Sequence, residues 1–567
     1  MNLIESAKNQ IKDLLNAACE KARATGELPD GADIRGSIEV PRDPSHGDYA
    51  ATHAMTMAKD MRLSPRKIAE ILTANIDLDG TFFKSISIAG AGFINFTVSS
   101  NWYSEVMRAV ETMGTDYGSV DIGEGKQIMV EFVSANPTGP MTVGNARGGA
   151  LGDTLAAVFE KAGYSVWREF LINDAGNQID LFGKSINARY IQLINGKDSI
   201  QFPEDGYHGD DIVELAKIMV LKYHNKLLDL PEKERIAMFI EFAVPHNVDL
   251  MKEHLKRYRI EFDEWFSEKS LHTSRYVEET VELLDKAGLL FEKDGAIWLR
   301  NTELGGEKDE VICRSNGFYT YYAIDIAYHR NKLDRGFEKA IDIWGADHHG
   351  HAIRLMTTMT SPRLCDALKI DGTRLHFLLM QMMRIVREGE TVKVSKRTGK
   401  ALTLNDLLDE ISVDACRFFF NARPDSHLDF DMSLAIRQDS ENPVYYVQYA
   451  HARICSLIAM LESEGYKVPP VKEVITDLLK TESEQELIKQ VSALPEEIIL
   501  AVRDMDPSRI NKYVIELAAR FHKFYSSCRI RGAKRGLLLA RLKLADTTRL
   551  TIKTCLELLG VSAPEKM

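Results

Sequence analysis

The sequence predicts a multidomain α/β protein, with a doubly wound parallel sheet in the middle of the chain, an α+β region before it and an all-helical region after it. Three observations lead to this prediction: the length of 567 residues, a strand, glycine loop and helix in that order from Gln127, and the fading of strand patterns beyond about Thr403. At roughly 150 residues per domain, this length suggests between two and five domains. Strand, loop and helix in that order form the opening unit of a doubly wound sheet.

Residues 1–118 are predicted to form a small α+β domain. Apolar residues recur at helical spacing over residues 3–24 and again over about 55–74. The stretches 86–89 and 92–98 alternate between apolar and polar residues as strands do.

Residues 119–402 are predicted to form the α/β domain. A buried-strand pattern at 127–133 leads through a Pro/Gly loop into a helical run at 144–163. A polar, helical stretch at about 185–262 interrupts the alternation and is interpreted as an insertion. Strand patterns return at 340–344 and 375–386. The remainder, 403–567, is predicted to be almost entirely helical.

The charge balance excludes a protein whose whole surface coats nucleic acid. Lys and Arg total 71 against 83 Asp and Glu, which gives a net charge of −12. Phosphate binding depends on the local field, however, and residues 508–553 carry twelve Lys or Arg against two acids. Tyrosines that could stack on unpaired bases lie nearby in the C-terminal region, at Tyr445, Tyr446, Tyr449 and Tyr525.

The seven cysteines argue against a disulfide framework or a cysteine zinc site, because they are scattered and include no CxxC pair. The N-terminus lacks a basic segment followed by an apolar one, and no window approaches 18 consecutive apolar residues. We therefore expect a cytoplasmic protein without a membrane span or structural metal.

Two loops suggest phosphate chemistry. In the loop 134–147, Gly139 and Gly144 permit close backbone approach, and the N–H groups of the following helix face an anion. The loop 391–400 packs cationic and hydroxyl side chains around a glycine. Either loop alone has an ordinary alternative, as a turn before a helix or a solvated surface loop. As a pair they fit a site that stabilises a phosphoryl transition state.

Two further segments suggest a substrate crevice. If residues 319–332 are helical, Tyr321 and Asp325 share one face and offer a hydroxyl and a carboxylate to one ligand, although a packed aromatic helix is the ordinary alternative. The histidine-rich run 344–351 follows a predicted strand. A zinc site is disfavoured there because no cysteine or glutamate joins it at a standard spacing. Side chains at that end of a strand more often line the substrate crevice.

In combination, these segments resemble the class I aminoacyl-tRNA synthetases and, within them, the arginyl-tRNA synthetases. Residues 137–145 stand where the family has its HIGH signature, 393–397 is similar to its KMSKS signature, and 414–417 resembles its DALR box. Further matches occur at 130–136, 172–179, 321–329, 442–453 and 558–567. The resemblance spans the whole chain in the expected order. It implies a Rossmann-type parallel-sheet catalytic domain at 119–402, an N-terminal domain that binds the tRNA D-loop, and an all-α anticodon-binding domain at 403–567.

The activity that the resemblance implies is an arginine–tRNA ligase. Arginine would attack the α-phosphate of ATP with Mg²⁺ bound to the phosphates, and the arginyl-adenylate would then esterify tRNA(Arg). The resemblance also implies that the activation step needs tRNA. We expect a monomer whose partners are tRNA(Arg), L-arginine and ATP.

The resemblance assigns residues to each step. The catalytic residues would be Lys393, Ser395, Lys396, Thr142 and Asn145, and the ATP-binding residues Pro137, Gly139, Thr142, Gly144, Asn145, Lys393 and Lys396. The arginine-binding residues would be Glu131, Asn136, Glu268, Tyr321, Asp325 and His348. The tRNA-binding residues would be Phe93, Asn95, Tyr446, Tyr449, Arg453 and Met567.

One departure from the family keeps two alternatives open. Thr142 and Asn145 replace both histidines of the HIGH signature. Neutral hydroxyl and amide groups can also donate hydrogen bonds to a phosphate, so we retain the catalytic interpretation. The alternatives are a catalytically inactive paralogue that binds arginine or tRNA, and a class I synthetase for another amino acid.

Overall fold

The computed structural model describes residues 2–29, 34–41, 43–392, 402–422 and 426–567. The helices are α1 Leu3–Ala24, α2 His53–Met61, α3 Pro65–Asn75, α4 Ser100–Met113, α5 Val143–Lys161, α6 Asn177–Asn195, α7 Asp210–Tyr223, α8 Glu232–Arg257, α9 Glu268–Thr273, α10 Tyr276–Lys286, α11 Tyr321–Asp334, α12 His349–Met359, α13 Pro362–Leu368, α14 Leu404–Glu410, α15 Val413–Phe420, α16 Met432–Ala435, α17 Pro443–Ser463, α18 Glu482–Ser492, α19 Leu494–Asp504, α20 Ser508–Ser527 and α21 Arg535–Leu558.

The strands form four sheets within the described residues. Their bounds are β1 Ile38–Glu39, β2 Tyr49–Ala51, β3 Phe83–Ala89, β4 Phe93–Val98, β5 Gln127–Glu131, β6 Ser165–Ile172, β7 Glu264–Ser267, β8 Leu290–Lys293, β9 Ala296–Leu299, β10 Glu310–Cys313, β11 Lys339–Gly345, β12 Leu375–Met380, β13 Met383–Arg387, β14 Glu390–Thr391 and β15 Leu428–Asp431. The predicted arrangement of an N-terminal α+β region, a parallel sheet and a helical C-terminal region is confirmed.

The N-terminal region packs helices against an antiparallel sheet of order β1-β2-β4-β3. The predicted helix over 3–24 is observed as α1. The single helical stretch predicted over about 55–74 is instead two helices, α2 and α3. The reason is local: Arg62 adopts a left-handed backbone conformation, Ser64 caps the next helix, and Pro65 occupies its first turn.

The central sheet is parallel throughout and has the order β12-β11-β5-β6-β7. The loops that follow β5, β6, β7 and β11 therefore meet at one edge of the sheet, where a doubly wound fold binds its ligands. Between β6 and β7 the chain forms α6, α7 and α8, which have a separate apolar core. The helical character expected for residues 185–262 is thus observed.

Two small sheets were not predicted. An antiparallel sheet of β8, β9 and β10 lies between β7 and α11 in the chain, and β13, β14 and β15 form a mixed sheet. β15 lies beyond Thr403, where strand patterns fade in the sequence. It has only four residues, and its pairing partner β13 lies far earlier in the chain, so its own pattern is too short to detect.

The C-terminal helices pack against both other regions. α21 and α18 contact α4 of the N-terminal region, and α19 contacts α5 of the central region. Lys543 pairs with Glu111 at 2.8 Å, Lys489 pairs with Asp48 at 2.6 Å, and the Tyr117 hydroxyl donates to the carbonyl of Val491 at 3.0 Å. Among the described helices, none is both long and apolar enough to cross a membrane.

Candidate active site

Two helix N-termini meet beside the carboxyl edge of the central sheet. Thr142, which caps α5, forms an antiparallel bridge with Thr403, which caps α14. The amide of Leu404 donates to the carbonyl of Met141 at 2.9 Å. The loop predicted to bind ATP is therefore joined to the residues that follow 393–401. Lys393, Ser395 and Lys396 lie outside the described residues.

Thr142 and Asn145 form a reciprocal capping box at the start of α5. The Thr142 hydroxyl donates to Asn145 Oδ1 at 2.8 Å and accepts from the Asn145 amide at 3.4 Å, and Asn145 Oδ1 also accepts from the Thr142 amide. This arrangement uses the Thr142 proton and the Asn145 oxygen to build the helix end. The side-chain NH₂ of Asn145 and the first backbone N–H groups of α5 are then the donors available to an anion.

The glycines in this loop leave room for a ligand. A Cβ atom on Gly144 would meet only Thr142 Oγ, at 3.5 Å, and one on Gly139 would meet only Asp211 Oδ2, at 3.6 Å. Pro137 is buried, and its carbonyl accepts a hydrogen bond from Asn247 on α8. Gly139 and Gly144 thus leave the backbone accessible at this helix N-terminus.

An acidic cluster lies at the ends of β6, β7 and in α11. Glu268 follows β7, Asp174 follows β6, and Asp325 is in the second turn of α11. Burial, with repulsion from Asp325 and then Asp174, raises the pKa of Glu268 to about 7. Within the described part of the chain, neither Glu268 nor Asp325 pairs with a lysine or arginine. A half-buried cluster of this kind favours a cation from outside the chain.

Asp174 is the fixed member of the acidic cluster. It accepts from the Ser267 hydroxyl at 2.6 Å and from the amide of Lys269 at 2.9 Å. These bonds hold the start of α9, and hence Glu268, against the loop after β6. Asp174 was not singled out from the sequence, although its place directly after a parallel strand was a usable signal.

His351 holds Asp325 and was also missed. Its Nε2 lies 2.6 Å from Asp325 Oδ2, and its buried Nδ1 has no hydrogen-bond partner among the described residues. The ring stacks on Trp344, with 5.5 Å between centroids, and meets Tyr321 edge-on at 5.2 Å. The histidine-rich run had drawn attention to His348. That residue is instead exposed, 3.5 Å from Asp347.

Tyr321 and Asn136 lie at two sides of the same crevice. Tyr321 begins α11 and is 60% exposed, so its hydroxyl is available to a ligand beside Asp325. Asn136 is half-buried, accepts from Asn173 at 2.7 Å and donates to Gln178. The amide of Asn136 therefore links the loop after β5 to the loop after β6.

Glu131, expected in the arginine site, is buried and internally paired. It forms an ion pair with Lys332, and it accepts from the Tyr328 hydroxyl at 3.0 Å and from the Ser134 hydroxyl at 2.7 Å. Lys332 also pairs with Asp342 at 2.5 Å, and Lys332 and Asp342 are fully buried. Glu131 thus contacts the chain's own cation rather than the open crevice.

The buried network continues along the sheet. His329 Nε2 lies 2.8 Å from Asp342, the Tyr328 hydroxyl donates to Glu169 at 2.7 Å, and Arg335 pairs with Glu169 at 2.6 Å. These groups lie on β6, on β11 and on α11 with the residue that follows it, so the network fixes α11 on the sheet. None of these contacts was predicted, because each joins residues from different elements.

The turn after β5 is strained. Val133 and Ser134 have φ angles of 71° and 42°, in the left-handed region that non-glycine residues rarely adopt. Ser134 is held there by its hydroxyl, which donates to Glu131 and accepts from the amide of Leu171 at 3.1 Å. This turn carries the chain from the buried network to Asn136.

The tRNA-binding candidates fall in two places. On the C-terminal helices, Arg453 lies over Tyr525 at 4.2 Å and over Tyr449 at 5.6 Å, and Tyr446 packs against His522. Tyr449 and Met567 are exposed. In the N-terminal region, Phe93 is 37% exposed, whereas Asn95 is only 2% exposed and lies inside the sheet.

The basic excess counted over 508–553 is partly neutralised by residues from elsewhere. Arg541 pairs with Glu484 and Lys543 with Glu111, and both cations are largely buried. The cations that keep an exposed position and have no acidic partner among the described residues are Lys523, Arg529, Lys534 and Arg535. The surface charge of this region is therefore smaller than the sequence count suggests.

Comparison with known proteins gives a consistent picture along the chain. Family models match for the arginyl tRNA synthetase N terminal domain at residues 9–98, the class I (R) tRNA synthetase catalytic domain at 108–437 and the DALR anticodon binding domain at 447–567. The arginine–tRNA ligases of Acetivibrio thermocellus and Ruminiclostridium cellulolyticum are each 48% identical over the full length of both chains. The arginyl-tRNA synthetase of Thermus thermophilus has the same fold, with a TM-score of 0.71 over 99% of this chain and all of that chain, at 19% identity.

Proposed function

Because the chain belongs to the arginyl-tRNA synthetase family, we propose that it activates L-arginine with ATP and transfers the arginyl group to the 3′ end of tRNA(Arg) at the crevice described above. The observation that carries this proposal is the bridge between Thr142 and Thr403. It brings the HIGH-like loop to the residues that follow the KMSKS-like segment. The two signature segments therefore act on one bound nucleotide.

The first step is attack of the arginine carboxylate on the α-phosphate of ATP, which forms the adenylate and releases pyrophosphate. Negative charge develops on the phosphoryl oxygens. The N-terminal amides of α5 and the NH₂ of Asn145 donate to these oxygens. Lys393 and Lys396 of the KMSKS-like segment add positive charge, and its Ser395 adds a hydroxyl donor. No side chain is needed as a covalent nucleophile, because catalysis rests on positioning and electrostatics.

Mg²⁺ enters with the nucleotide in this proposal. The groups around the loop are mainly N–H and hydroxyl donors, which suit phosphate oxygens rather than a metal ion. This fits an ion that is bound chiefly by phosphate oxygens and water. Mg²⁺ would then neutralise the leaving pyrophosphate.

The guanidinium group of arginine binds at the acidic cluster. Asp325 and Glu268 accept its N–H groups, and the exposed Tyr321 hydroxyl closes one side. The ammonium group of lysine lacks the planar pair of N–H donors that a bidentate carboxylate contact needs. Citrulline is neutral and would leave the half-buried carboxylates without a cation. The site therefore discriminates by binding alone.

The amino acid's head group is held by Asn136 and His348. Asn136 is fixed by its neighbours Asn173 and Gln178, whereas His348 is exposed and therefore accessible to the substrate. Glu131 serves this site indirectly in our proposal. Its charge is balanced by Lys332, and through Ser134 it fixes the strained turn that presents Asn136.

The tRNA lies across the three regions 1–118, 119–402 and 403–567, which we propose as the domains. Tyr446, Tyr449 and Arg453 form an aromatic and cationic surface for unpaired anticodon bases, and the exposed Met567 is a further contact in this proposal. Phe93 contacts the D-loop, and the buried Asn95 supports the strand beneath it. We further propose a cytoplasmic monomer without membrane association.

Exchange of labelled pyrophosphate into ATP tests the proposal. We expect exchange with arginine and not with lysine or citrulline, and the assay is run with and without tRNA(Arg) because the family is expected to need tRNA for activation. Absence of exchange under both conditions would contradict the proposed activity, and exchange with another amino acid would contradict arginine as the substrate. Nothing in the described site favours the inactive paralogue.

A further inference from the structure

The helical insert, which consists of α6, α7 and α8, contacts the loop 134–147 that we propose binds ATP (the ATP loop, which contains the HIGH-like residues 137–145). The contact is a buried hydrogen bond. Asn247 in α8 donates from Nδ2 to the carbonyl of Pro137 at 2.8 Å. Asn247 is only 8% exposed, and Pro137 is buried. A polar side chain in such a place destabilises the fold unless it is hydrogen-bonded, so this contact is specific.

α8 is anchored in two separate cores, and Asn247 lies between them. Phe239 and Ala243 pack in the core of the insert. Val248, Met251 and Leu255 pack in the main core, with the central sheet and α5. Asn247 is therefore held from both sides along one helix, and it presents its amide to the loop from a rigid support.

The ATP loop has few internal means of holding its own shape. Pro137 and Pro140 have no N–H to donate, and Gly139 between them adds backbone freedom. External groups hold both ends instead: Asn247 binds the carbonyl of Pro137, and the amide of Leu404 binds the carbonyl of Met141. The loop is thus held by one hydrogen bond from α8 and one from α14.

A second helix of the insert approaches the same loop. Asp211 is the second residue of α7, and its Oδ2 is the atom that a Cβ on Gly139 would meet. Burial raises the pKa of the Asp211 carboxyl, which is consistent with a side chain enclosed near the loop. Two helices of the insert therefore border the space proposed for the phosphates.

We propose that Asn247 is a positioning residue for ATP, and that the helical insert acts as the support that sets the HIGH-like loop. This inference rests on the proposed function and deepens it. Loss of the Asn247 donor lets the loop shift at Pro137, which misplaces Asn145 and the N-terminal amides of α5 relative to the α-phosphate. The guanidinium contacts are untouched, because Asp325 and Glu268 lie on other elements. Asn136, next to Pro137, keeps its own two hydrogen bonds to Asn173 and Gln178.

The test is the variant Asn247→Asp, which is nearly isosteric but faces the Pro137 carbonyl with an acceptor. In pyrophosphate exchange we expect KM for ATP to rise about five- to tenfold and kcat to fall by a similar factor, as for a lost buried hydrogen bond in a preorganised site. KM for arginine should change less than about twofold, since uncoupled sites behave independently. Asn247→Leu, which removes the donor without adding charge, replaces it if the first variant does not fold.

The matched control is Asn187→Leu in the same insert. Asn187 is also buried, but its Oδ1 accepts from Arg235 Nε at 2.6 Å, away from the loop. We expect Asn187→Leu to lower the melting temperature and leave both ATP parameters unchanged. The rise in melting temperature that ATP produces in each variant is measured as well, because it reports binding without turnover.

The outcomes separate the two claims. Wild-type protein that fails to exchange pyrophosphate with arginine contradicts the proposed function. An active wild type with unaltered ATP parameters in Asn247→Asp and Asn247→Leu overturns the role of Asn247. An equal ATP defect in Asn187→Leu would also overturn it, because the effect would then be general destabilisation of the insert.

Discussion

Two groups of carboxylates lie close together at the central sheet, and they differ in what balances their charge. Glu131 and Asp342 are buried against Lys332, a cation of the chain itself. Asp325 and Glu268 are half-buried and have no lysine or arginine partner in the described structure, although His351 contacts Asp325. The first group is complete within the fold, whereas we propose that the second, open group is completed by the cation of the substrate.

The pKa values of Asp342 and Glu268 reflect the same difference, whereas burial outweighs Lys332 at Glu131 and raises the pKa of that carboxyl. Burial would raise the pKa of Asp342, but Lys332 and His329 outweigh burial and lower it to about 2. For Glu268, burial and two carboxylates act in the same direction and raise the pKa to about 7. A carboxylate that the free protein holds at a cost is the better candidate for binding a cationic substrate.

The largest effect is expected from breaking the complete group. Lys332→Met leaves Glu131 and Asp342 buried without their cation, and we expect a loss of about 3–5 kcal/mol in the free energy of unfolding. Urea denaturation measures it. Lys286→Met is the control, because Lys286 is exposed and should change stability by less than about 0.5 kcal/mol. Equal stability of both variants would show that the buried group does not depend on Lys332.

Asp325→Asn tests the open group and should leave stability almost unchanged. The amide keeps an oxygen for His351 but loses the charge that the guanidinium needs. We expect the Kd for arginine to rise about 100-fold or more, which corresponds to about 3 kcal/mol. Calorimetric titration gives the Kd, and thermal unfolding provides the control. A wild-type Kd in this variant would place the guanidinium elsewhere.

A pH series separates the two groups without mutation. Glu268 must be ionised to hold a guanidinium, so arginine affinity should fall as the pH drops below about 7, by up to about tenfold per pH unit. The free energy of unfolding responds to pH in the opposite direction to arginine affinity. Because folding raises this pKa from 4.5 to about 7, the folded state binds more protons in that window, and the Glu268 contribution to stability falls as the pH rises through it.

Glu268→Gln is the matched variant for the pH series. We expect it to flatten the pH dependence of arginine affinity between about pH 6 and 8, and to make the free protein slightly more stable at pH 8. Calorimetric titration and melting temperatures at each pH measure the two effects. An unchanged pH profile in this variant would assign the titration to another group.

The smallest effect is expected at His351. His351→Phe keeps the ring that stacks on Trp344 but removes the nitrogen that holds Asp325. We expect the Kd for arginine to rise about three- to tenfold, the range of one lost hydrogen bond to a charged group. A Kd as poor as that of Asp325→Asn would mean that His351 contacts the substrate directly rather than positioning Asp325.

Helices and strands were predictable where the hydrophobic pattern lies within one continuous segment of the sequence. Residues 127–163 show a strand, loop and helix in sequence, and α1 has unbroken helical spacing, so both are observed as expected. β15 was missed because its four residues acquire meaning only beside β13. Charge is equally hard to predict from one segment. Arg541 and Lys543 count toward the basic excess over 508–553, but Glu484 and Glu111 from outside that range neutralise them.

The site was predictable by residue type and less so by partner. Tyr321 and Asp325 follow from helical spacing, and the ATP loop from its glycines and its place before α5. His351 was missed because its partner Asp325 lies 26 residues away on another helix. The role of Asn247 could not be predicted from the sequence. A single asparagine in a polar helix is expected to face solvent, and its contact with Pro137 exists only in the folded structure.

The contacts between the first and last parts of the chain can form only after the last part has been synthesised. Glu111 and Lys543 pair across 432 positions, and Tyr117 reaches Val491 across 374. At about 10 residues per second, a ribosome makes the partner of Glu111 roughly 40 s after Glu111 itself. The N-terminal region therefore emerges with its later contact face still open, and a nascent chain stalled before α21 would keep that face exposed to chaperones and proteases.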